Sequence, residues 1–152
     1  MAATAWQLYN EAKQAIGNGT ITLGAGVFKM LLARSASNAS TFTLSVYSEI
    51  TNEISATGGY TLGGKNLVPA TGQWTVGASA KQYKFTYSTI GLTFTASGAS
   101  LTNVKYAVIR NSTGAGAGKL LCFCQLSSSQ FTVTSPNTLT ILPAATGVFT
   151  LT

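Results

Sequence analysis

The stretch VKYAVIR (Val104–Arg110) decides the fold, because its apolar side chains fall at odd and at even positions. A strand that is apolar on both faces belongs in the middle of a sheet. The run LLCFCQL (Leu120–Leu126) has the same character and follows a glycine-rich connection. We therefore predict that these two strands pair and form the centre of a buried sheet.

Alternation with a period of two predicts further strands on either side of this pair. In Tyr83–Tyr87 three aromatic residues alternate with polar ones, which is typical of a half-buried strand. The segment Phe42–Ile54 fits a strand or a helical turn equally well. The other predicted strands are Thr20–Leu23, Val27–Ala33, Tyr60–Leu62, Leu92–Phe94, Phe131–Val133, Leu139–Ile141 and Val148–Leu151. About ten strands joined by Gly, Ser and Asn predict a mainly β fold, a β-sandwich or jelly-roll-like domain.

One short α-helix is predicted at the start of the chain. Thr4 and Gln7 have the spacing of a capping box, and Gly17 fits a left-handed position after the last turn. Apolar residues recur at helical spacing at Leu8, Ala12, Ala15 and Ile16. We expect residues 1–152 to form one domain. Its helical segment 1–17 docks on its own sheet or, alternatively, reaches a neighbouring subunit.

Composition argues against an enzyme. The 152 residues include no His and no Asp, and the only acidic residues are three Glu. Ser-His-Asp and Cys-His nucleophiles, imidazole metal sites and Asp-based calcium loops are therefore excluded. Charged residues make up 8% of the chain, its net charge is +6, and Thr and Ser supply about a quarter of it. We expect no catalytic residue, no cofactor, no metal and no small-molecule substrate.

Three motifs that suggest chemistry have simpler interpretations. The loop Gly114–Lys119 lacks the first Gly and the final Ser or Thr of a phosphate-binding loop, and is predicted to be a strand connection. Glu49 and Glu53 have the spacing of an acid–base pair on a helix, but a glycosidase would also need a sugar cleft with polar and charged residues, and the one remaining acid is Glu11 on the first helix. We expect solvated or interface-paired carboxylates there. Cys122 and Cys124 alternate within a strand and are predicted to be buried free thiols.

The excess of positive charge is scattered rather than clustered. The closest approach to an interleaved basic–aromatic patch is Lys81 and Lys84 beside Tyr83 and Phe85. Nucleic-acid-binding proteins usually concentrate their cations, so the pattern argues against such a partner. No apolar run reaches the ~18 residues that cross a bilayer, which argues against a membrane. A mildly basic face that meets an acidic protein surface is the better interpretation.

Several stretches of the chain resemble a family of small tailed-bacteriophage virion proteins. The most specific is EITNEI (Glu49–Ile54) followed by GGYTLGGKNL (Gly58–Leu67). Further similar stretches are FKMLL (Phe28–Leu32), LTFTASG (Leu92–Gly98), YAVIRN (Tyr106–Asn111) and TLTI (Thr138–Ile141). The resemblance covers residues 4–152 and implies a virion structural protein, with capsid decoration (cement) as the leading role. It brings no catalytic residues, and acidic positions of relatives are Ser or Thr in this chain.

This resemblance sets the remaining expectations. The partners would be the major capsid protein and further copies of the chain, as a dimer or trimer, in a virion assembled in the bacterial cytoplasm. Predicted contacts with the shell lie in the N-terminal segment, the loop Ser35–Thr41 and the hairpin Gly58–Asn66. They are Trp6, Tyr9, Lys13, Ser35, Ser37, Asn38, Thr41, Tyr60, Lys65 and Asn66. The alternatives are a tail or connector component, such as a tube or terminator protein, and a sugar-binding module of a host-recognition fibre that stacks Trp74, Tyr83 and Tyr87 on glycans.

Overall fold

The strand that is apolar on both faces lies at the centre of the largest sheet. The structure is a computed structural model that describes residues 3–69, 73–79 and 81–152. In it, β7 (Leu101–Asn111) pairs antiparallel with β2 (Phe28–Arg34) on one side and with β8 (Leu120–Gln125) on the other. The side chains of residues 107–109 are fully buried. The predicted central pair is confirmed.

Three short strands complete this sheet. Strand β1 (Gln7–Leu8) pairs with β8, and β3 (Lys65–Asn66) pairs with β2, which gives the order β1-β8-β7-β2-β3. Strand β9 (Phe131–Val133) pairs with β7 outside this path. All of these pairings are antiparallel.

Two smaller sheets pack against the large one. One contains β6 (Leu92–Thr95) and β10 (Thr138–Ile141). In the other, β5 (Tyr83–Phe85) lies between β4 (Trp74–Val76) and β11 (Phe149–Leu151). The rings of Phe28 and Phe85 meet edge to face at 4.9 Å between centroids, and buried residues of all three sheets form one core. The fold is mainly β and sandwich-like, as predicted, but the strand pairing gives no basis for the finer assignment to a jelly roll.

The only α-helix in the described residues, α1, is shorter than predicted and begins later, at Asn10–Gly17. The predicted capping box is wrong, because Thr4 is part of an extended segment: its amide donates to the Gln125 carbonyl at 2.8 Å and its hydroxyl accepts from the Gln125 amide at 3.0 Å. Gly17 is the last helical residue, and the left-handed position is Gly19, with φ +76°. The N-terminal segment is thus attached to the large sheet of its own chain.

Two predicted strands are turns. In Thr20–Leu23 the Ile21 amide bonds back to Ala15 in α1, so this segment continues the end of the helix instead of joining a sheet. In Tyr60–Leu62 the Tyr60 amide bonds to the Thr57 carbonyl, and the hairpin predicted at Gly58–Asn66 is a series of turns that ends in β3. The ambiguous segment Phe42–Ile54 contains one 3₁₀ turn, Tyr47–Glu49, in otherwise irregular chain.

Candidate functional site

The two stretches that chiefly carry the family resemblance, Glu49–Ile54 and Gly58–Leu67, fold around one carboxylate. Oε2 of Glu53 accepts a hydrogen bond from the Tyr47 hydroxyl at 2.6 Å, and Oε1 accepts from the Tyr60 hydroxyl at 2.6 Å and the Gly63 amide at 2.8 Å. The Tyr60 hydroxyl also accepts from the Leu32 amide of β2 at 3.0 Å. We call Glu53 and the three residues that donate to it the Glu53 bracket. It joins the irregular chain between Tyr47 and Gly63 to β2 of the large sheet.

Arg110 closes the bracket from β7. Its guanidinium lies over the Tyr47 ring, 4.5 Å from the ring centroid, and its Nε donates to the Gly63 carbonyl at 3.1 Å. Burial and the hydrogen bond to Glu53 raise the pKa of Tyr47 to about 12, and burial raises the pKa of Tyr60 further. Both phenols therefore stay protonated at neutral pH and act as donors. The bracket holds backbone in place and offers no base at a tyrosine.

Two glycines of the motif are required by close approach of backbone. Gly58 has φ +61°, and a Cβ there would lie 2.4 Å from the Ala99 carbonyl oxygen. Gly64 has φ +82°, and a Cβ there would lie 2.2 Å from the Met30 carbonyl oxygen in β2. Only glycine combines this conformation with such contacts. The motif is therefore explained by packing against β2 and the residues before β7.

The other glutamates have separate surroundings. Oε2 of Glu49 accepts from the Ser45 and Val46 amides at 2.6 and 3.2 Å, and these bonds lower the pKa of its exposed carboxyl. Glu11 is exposed in the first turn of α1. We expected both Glu49 and Glu53 to be solvated or paired at an interface. Glu49 is exposed, whereas Glu53 is half-buried and bonded within the Glu53 bracket.

The thiols of Cys122 and Cys124 are free and buried in β8, as predicted. Burial raises the pKa of Cys124 to about 12 and that of Cys122 well above its ordinary value. A nucleophilic or metal-binding cysteine needs an accessible thiolate. These side chains instead pack against the core as small apolar groups.

A cleft of about 400 Å³ opens between β3 and β6. We call it the β3–β6 cleft. Its wall includes two lysines, Lys29 and Lys65, and the ammonium of Lys65 donates to the Thr93 carbonyl at 2.9 Å. The remaining lining residues are Gly59, Tyr60, Thr61, Gly64, Asn66, Thr93, Phe94, Thr95 and Leu101. The lining therefore combines positive charge with hydroxyl and amide groups and contains no carboxylate.

The three-stranded sheet leaves one row of apolar side chains uncovered. Val76, Tyr83 and Leu151 are directly opposite one another in β4, β5 and β11, with exposed fractions of 66%, 47% and 40%. We call these three residues the apolar row. Beside it lies a second cavity of about 300 Å³, lined mainly by apolar residues that include Ile21 and Trp74. Among the described residues of this sheet, these three are the exposed large apolar side chains.

Two predicted contact residues are corrected by the structure. Tyr9 is fully buried and its hydroxyl donates to the Ala39 carbonyl at 2.6 Å, and Tyr60 is 6% exposed and belongs to the Glu53 bracket. Tyr9 therefore has no free surface for a partner, and Tyr60 reaches the surface only where it lines the β3–β6 cleft. The signal that misled the sequence analysis was aromatic character next to glycine or polar residues, which fits burial under a loop equally well.

The other predicted contact residues are exposed or half-buried. In the loop region, Ser37 and Asn38 bond to Thr51 and its neighbours, and the Ser35 hydroxyl bonds to the Gln130 side chain. Lys65 and Asn66 are exposed at the β3–β6 cleft. Lys13 and Thr41 are exposed, and Trp6 is half-buried. Their contact with a partner remains a prediction.

Several residues of the Glu53 bracket, the β3–β6 cleft and the apolar row were not singled out from the sequence. The sequence did not associate Arg110 with Tyr47 and Gly63, because only the fold brings β7 next to these two residues. The cleft residues Lys29, Thr93 and Thr95 were likewise hidden by their distance in the chain. Val76 could have been found, because the alternation that starts at Trp74 places it on the same face of a strand.

The proposed sugar-stacking face is only partly available. Tyr87 is 3% exposed and donates its hydroxyl to the Ile141 carbonyl at 3.0 Å, so it cannot stack on a ligand. Trp74 is half-buried and stacks on Tyr83 at 5.7 Å between centroids. The basic–aromatic patch is also interrupted, because Phe85 is buried and the ammonium of Lys84 donates to the Ala145 carbonyl.

The described part of the chain has neither a metal-binding cluster nor a membrane-spanning helix. Within residues 3–69, 73–79 and 81–152, no three His, Cys, Asp or Glu side chains cluster as a metal site would require. No helix in the same ranges has the length and apolar character to cross a membrane. Comparison with protein-family models, with curated proteins and with solved structures found no match.

Proposed function

We propose that this protein is a structural component of a tailed-bacteriophage virion that decorates and stabilises the capsid shell. The observation that carries the proposal is the structural role of Glu49–Ile54 and Gly58–Leu67, the stretches on which the family resemblance chiefly rests. Its glutamate, tyrosine and glycines form the Glu53 bracket and its close backbone contacts. A motif that maintains a rigid surface segment fits a protein whose task is shape and adhesion.

Two surface features supply the means of attachment. The apolar row exposes Val76, Tyr83 and Leu151 next to an apolar cavity, so burying it against another protein would be favourable. The chain also has nine Lys and Arg against three Glu, which favours an acidic partner surface. A Thr- and Ser-rich exterior reduces the desolvation cost of docking compared with a highly charged one.

Decoration would stabilise a shell through many weak attachments. A standard protein interface buries about 1,600 Å² in total, and each copy alone would bind modestly. Copies that touch two neighbouring capsomers, or one another, gain from a high effective concentration on the lattice. One core shared by all three sheets is consistent with a protein that acts through its shape.

Sedimentation with shells tests this proposal. Purified protein is mixed with expanded, empty heads of the phage that encodes the chain, and bound copies are counted from the pelleted stoichiometry. We expect saturable binding and a rise in the temperature at which the heads disrupt. Binding to unexpanded precursor heads serves as the comparison, since their surface lattice differs.

Absence of saturable binding to expanded heads would contradict the proposal. Assembly of the isolated protein into rings or tubes would instead favour the tail or connector alternative. Binding to a glycan array at micromolar concentration would favour the sugar-binding alternative, with Trp74 and Tyr83 as the remaining candidates for stacking.

A further inference from the structure

The two-stranded sheet has one covered edge and one open edge. The β6 edge is covered by this chain, because the Ser97 amide, just after β6, donates to the Gly58 carbonyl at 3.0 Å. The ammonium of Lys65 also donates to the Thr93 carbonyl on this side, at 2.9 Å. Among the described residues, β10 (Thr138–Ile141) pairs only with β6, so its other edge is open. An open edge presents backbone donors and acceptors that can pair with another strand.

The hydrogen-bond pattern shows which groups of β10 face outward. In an antiparallel pair, every second residue directs its N–H and C=O away from the partner strand. The Ala96 amide donates to the Asn137 carbonyl at 2.9 Å, so the alternation turns the backbone of Thr138 and Thr140 away from β6. Both threonines are exposed, and no group of another described segment bonds to their N–H or C=O.

The open edge is complementary to itself. When two copies of β10 lie antiparallel with Leu139 opposite Leu139, Thr138 of each copy lies opposite Thr140 of the other. These are the outward-facing residues, so each such pair can exchange two backbone hydrogen bonds, about four across the interface. Leu139 is half-buried where it packs against the core, and the second copy's Leu139 would cover its exposed part.

Charge favours a second copy as the partner of this edge. The net charge is +6, so two copies repel each other wherever their cations meet. Residues 120–152 contain no charged side chain, and β10 lies in this stretch. Edge strands that stay unpaired commonly carry a Lys or another charge that blocks pairing. The edge of β10 lacks such a charge, so it suits a like-charged copy and gives an acidic partner no cation to bind.

We propose that two copies of this chain pair through β10 about a twofold axis at Leu139, which joins their two-stranded sheets into one continuous sheet. A four-residue strand gives an interface far smaller than the ~1,600 Å² of a standard complex, so we expect a weak dimer with a Kd of about 0.1 mM. The apolar row belongs to a different sheet and stays free for the shell. The inference goes beyond the proposed function and does not depend on it.

Sedimentation equilibrium at protein concentrations from about 10 μM to 1 mM measures the association. Thr138→Lys with Thr140→Lys places lysines directly opposite lysines of the second copy, and should raise the Kd of the dimer at least about tenfold. Thr43→Lys with Thr57→Lys adds the same charge at exposed positions of other segments and should leave the Kd nearly unchanged. Circular dichroism reports whether each variant is folded.

Cysteine substitutions test the register. Two Leu139 residues opposite each other have Cα atoms about 4.5 Å apart, within the ~4.4–6.8 Å of a disulfide. Leu139→Cys should therefore form an intermolecular disulfide under mild oxidation. Thr138→Cys is more exposed, but its two copies would lie more than about 8 Å apart and should crosslink at least about tenfold more slowly. Wild-type protein, whose Cys122 and Cys124 are buried, gives the background.

Three results would overturn the proposal. They are a wild-type protein that stays monomeric at about 1 mM, an undiminished dimer in the variant with Thr138→Lys and Thr140→Lys, and equal crosslinking of Thr138→Cys and Leu139→Cys. A monomeric wild type whose binding to heads is lost in the double lysine variant would instead assign the edge to a strand of the shell protein. If the wild type dimerises but does not bind heads, capsid decoration is wrong and the dimer stands.

Discussion

Removing the carboxylate of Glu53 should destabilise the fold substantially. Glu53→Ala deletes the acceptor of the Tyr47 and Tyr60 hydroxyls and of the Gly63 amide. A hydrogen bond to a charged group contributes about 1.5–3 kcal/mol, and a buried donor left without a partner adds a desolvation cost. Because Tyr47 is half-exposed, we count chiefly the buried Tyr60 and Gly63. We expect the free energy of unfolding to fall by about 3 kcal/mol.

Urea unfolding followed by circular dichroism measures this change. Glu11→Ala removes the same charge from an exposed helical position and should cost less than about 0.5 kcal/mol. A cycle that combines Glu53→Ala with Tyr60→Phe should show a coupling above about 1 kcal/mol, since the two side chains share a hydrogen bond. A loss no larger than that of Glu11→Ala, or additive effects in the cycle, would refute the structural role of the bracket.

Three further outcomes follow from the same contacts. Gly64→Ala should lower the free energy of unfolding by at least about 3 kcal/mol, because its Cβ would meet a carbonyl of β2. Gly98→Ala should cost about 1 kcal/mol, because Gly98 also has positive φ but has open space around it. Urea titration compares the two variants, and equal losses would contradict the packing argument. Cys122 and Cys124 should not react with a thiol reagent at pH 8 until the protein unfolds, and rapid labelling of folded protein would show that their burial is wrong. Burial raises the pKa of Tyr60 in the folded state, so the unfolded state loses its phenolic proton first as the pH rises. The stability present below about pH 10 should therefore fall above that pH. Urea midpoints that stay constant from pH 9 to 11 would contradict this.

The strands of the core could be predicted because their signal is local. In β7 and β8 the apolar residues occupy both faces, so the pattern specifies burial, and in β5 the alternation indicates a strand although Tyr83 at its start is exposed. The helix start was mispredicted because tertiary pairing overrides a local cap. Thr4 bonds to Gln125 across 121 residues of chain, and this contact outweighs a capping box with Gln7.

The candidate surfaces could be predicted only in part, because they depend on strand order. Lys65 and Asn66 were expected at the surface, but the cleft exists only where β6 lies opposite β3. The two glutamates were noted for their spacing, whereas the partners of Glu53 come from a 3₁₀ turn and from a loop of positive-φ glycines. Such turns carry little periodic signal, so aromatic residues such as Tyr60 could not be assigned to core or surface from sequence.

A cryo-electron microscopy reconstruction of intact virions most directly tests whether this chain is part of the capsid exterior. The account predicts ordered density for the β-sandwich on the outer surface of the shell, in regular stoichiometry, with the apolar row against the shell and the Glu53 bracket internal to each copy. Density confined to the tail, or a complete particle from which this chain is absent, would contradict it.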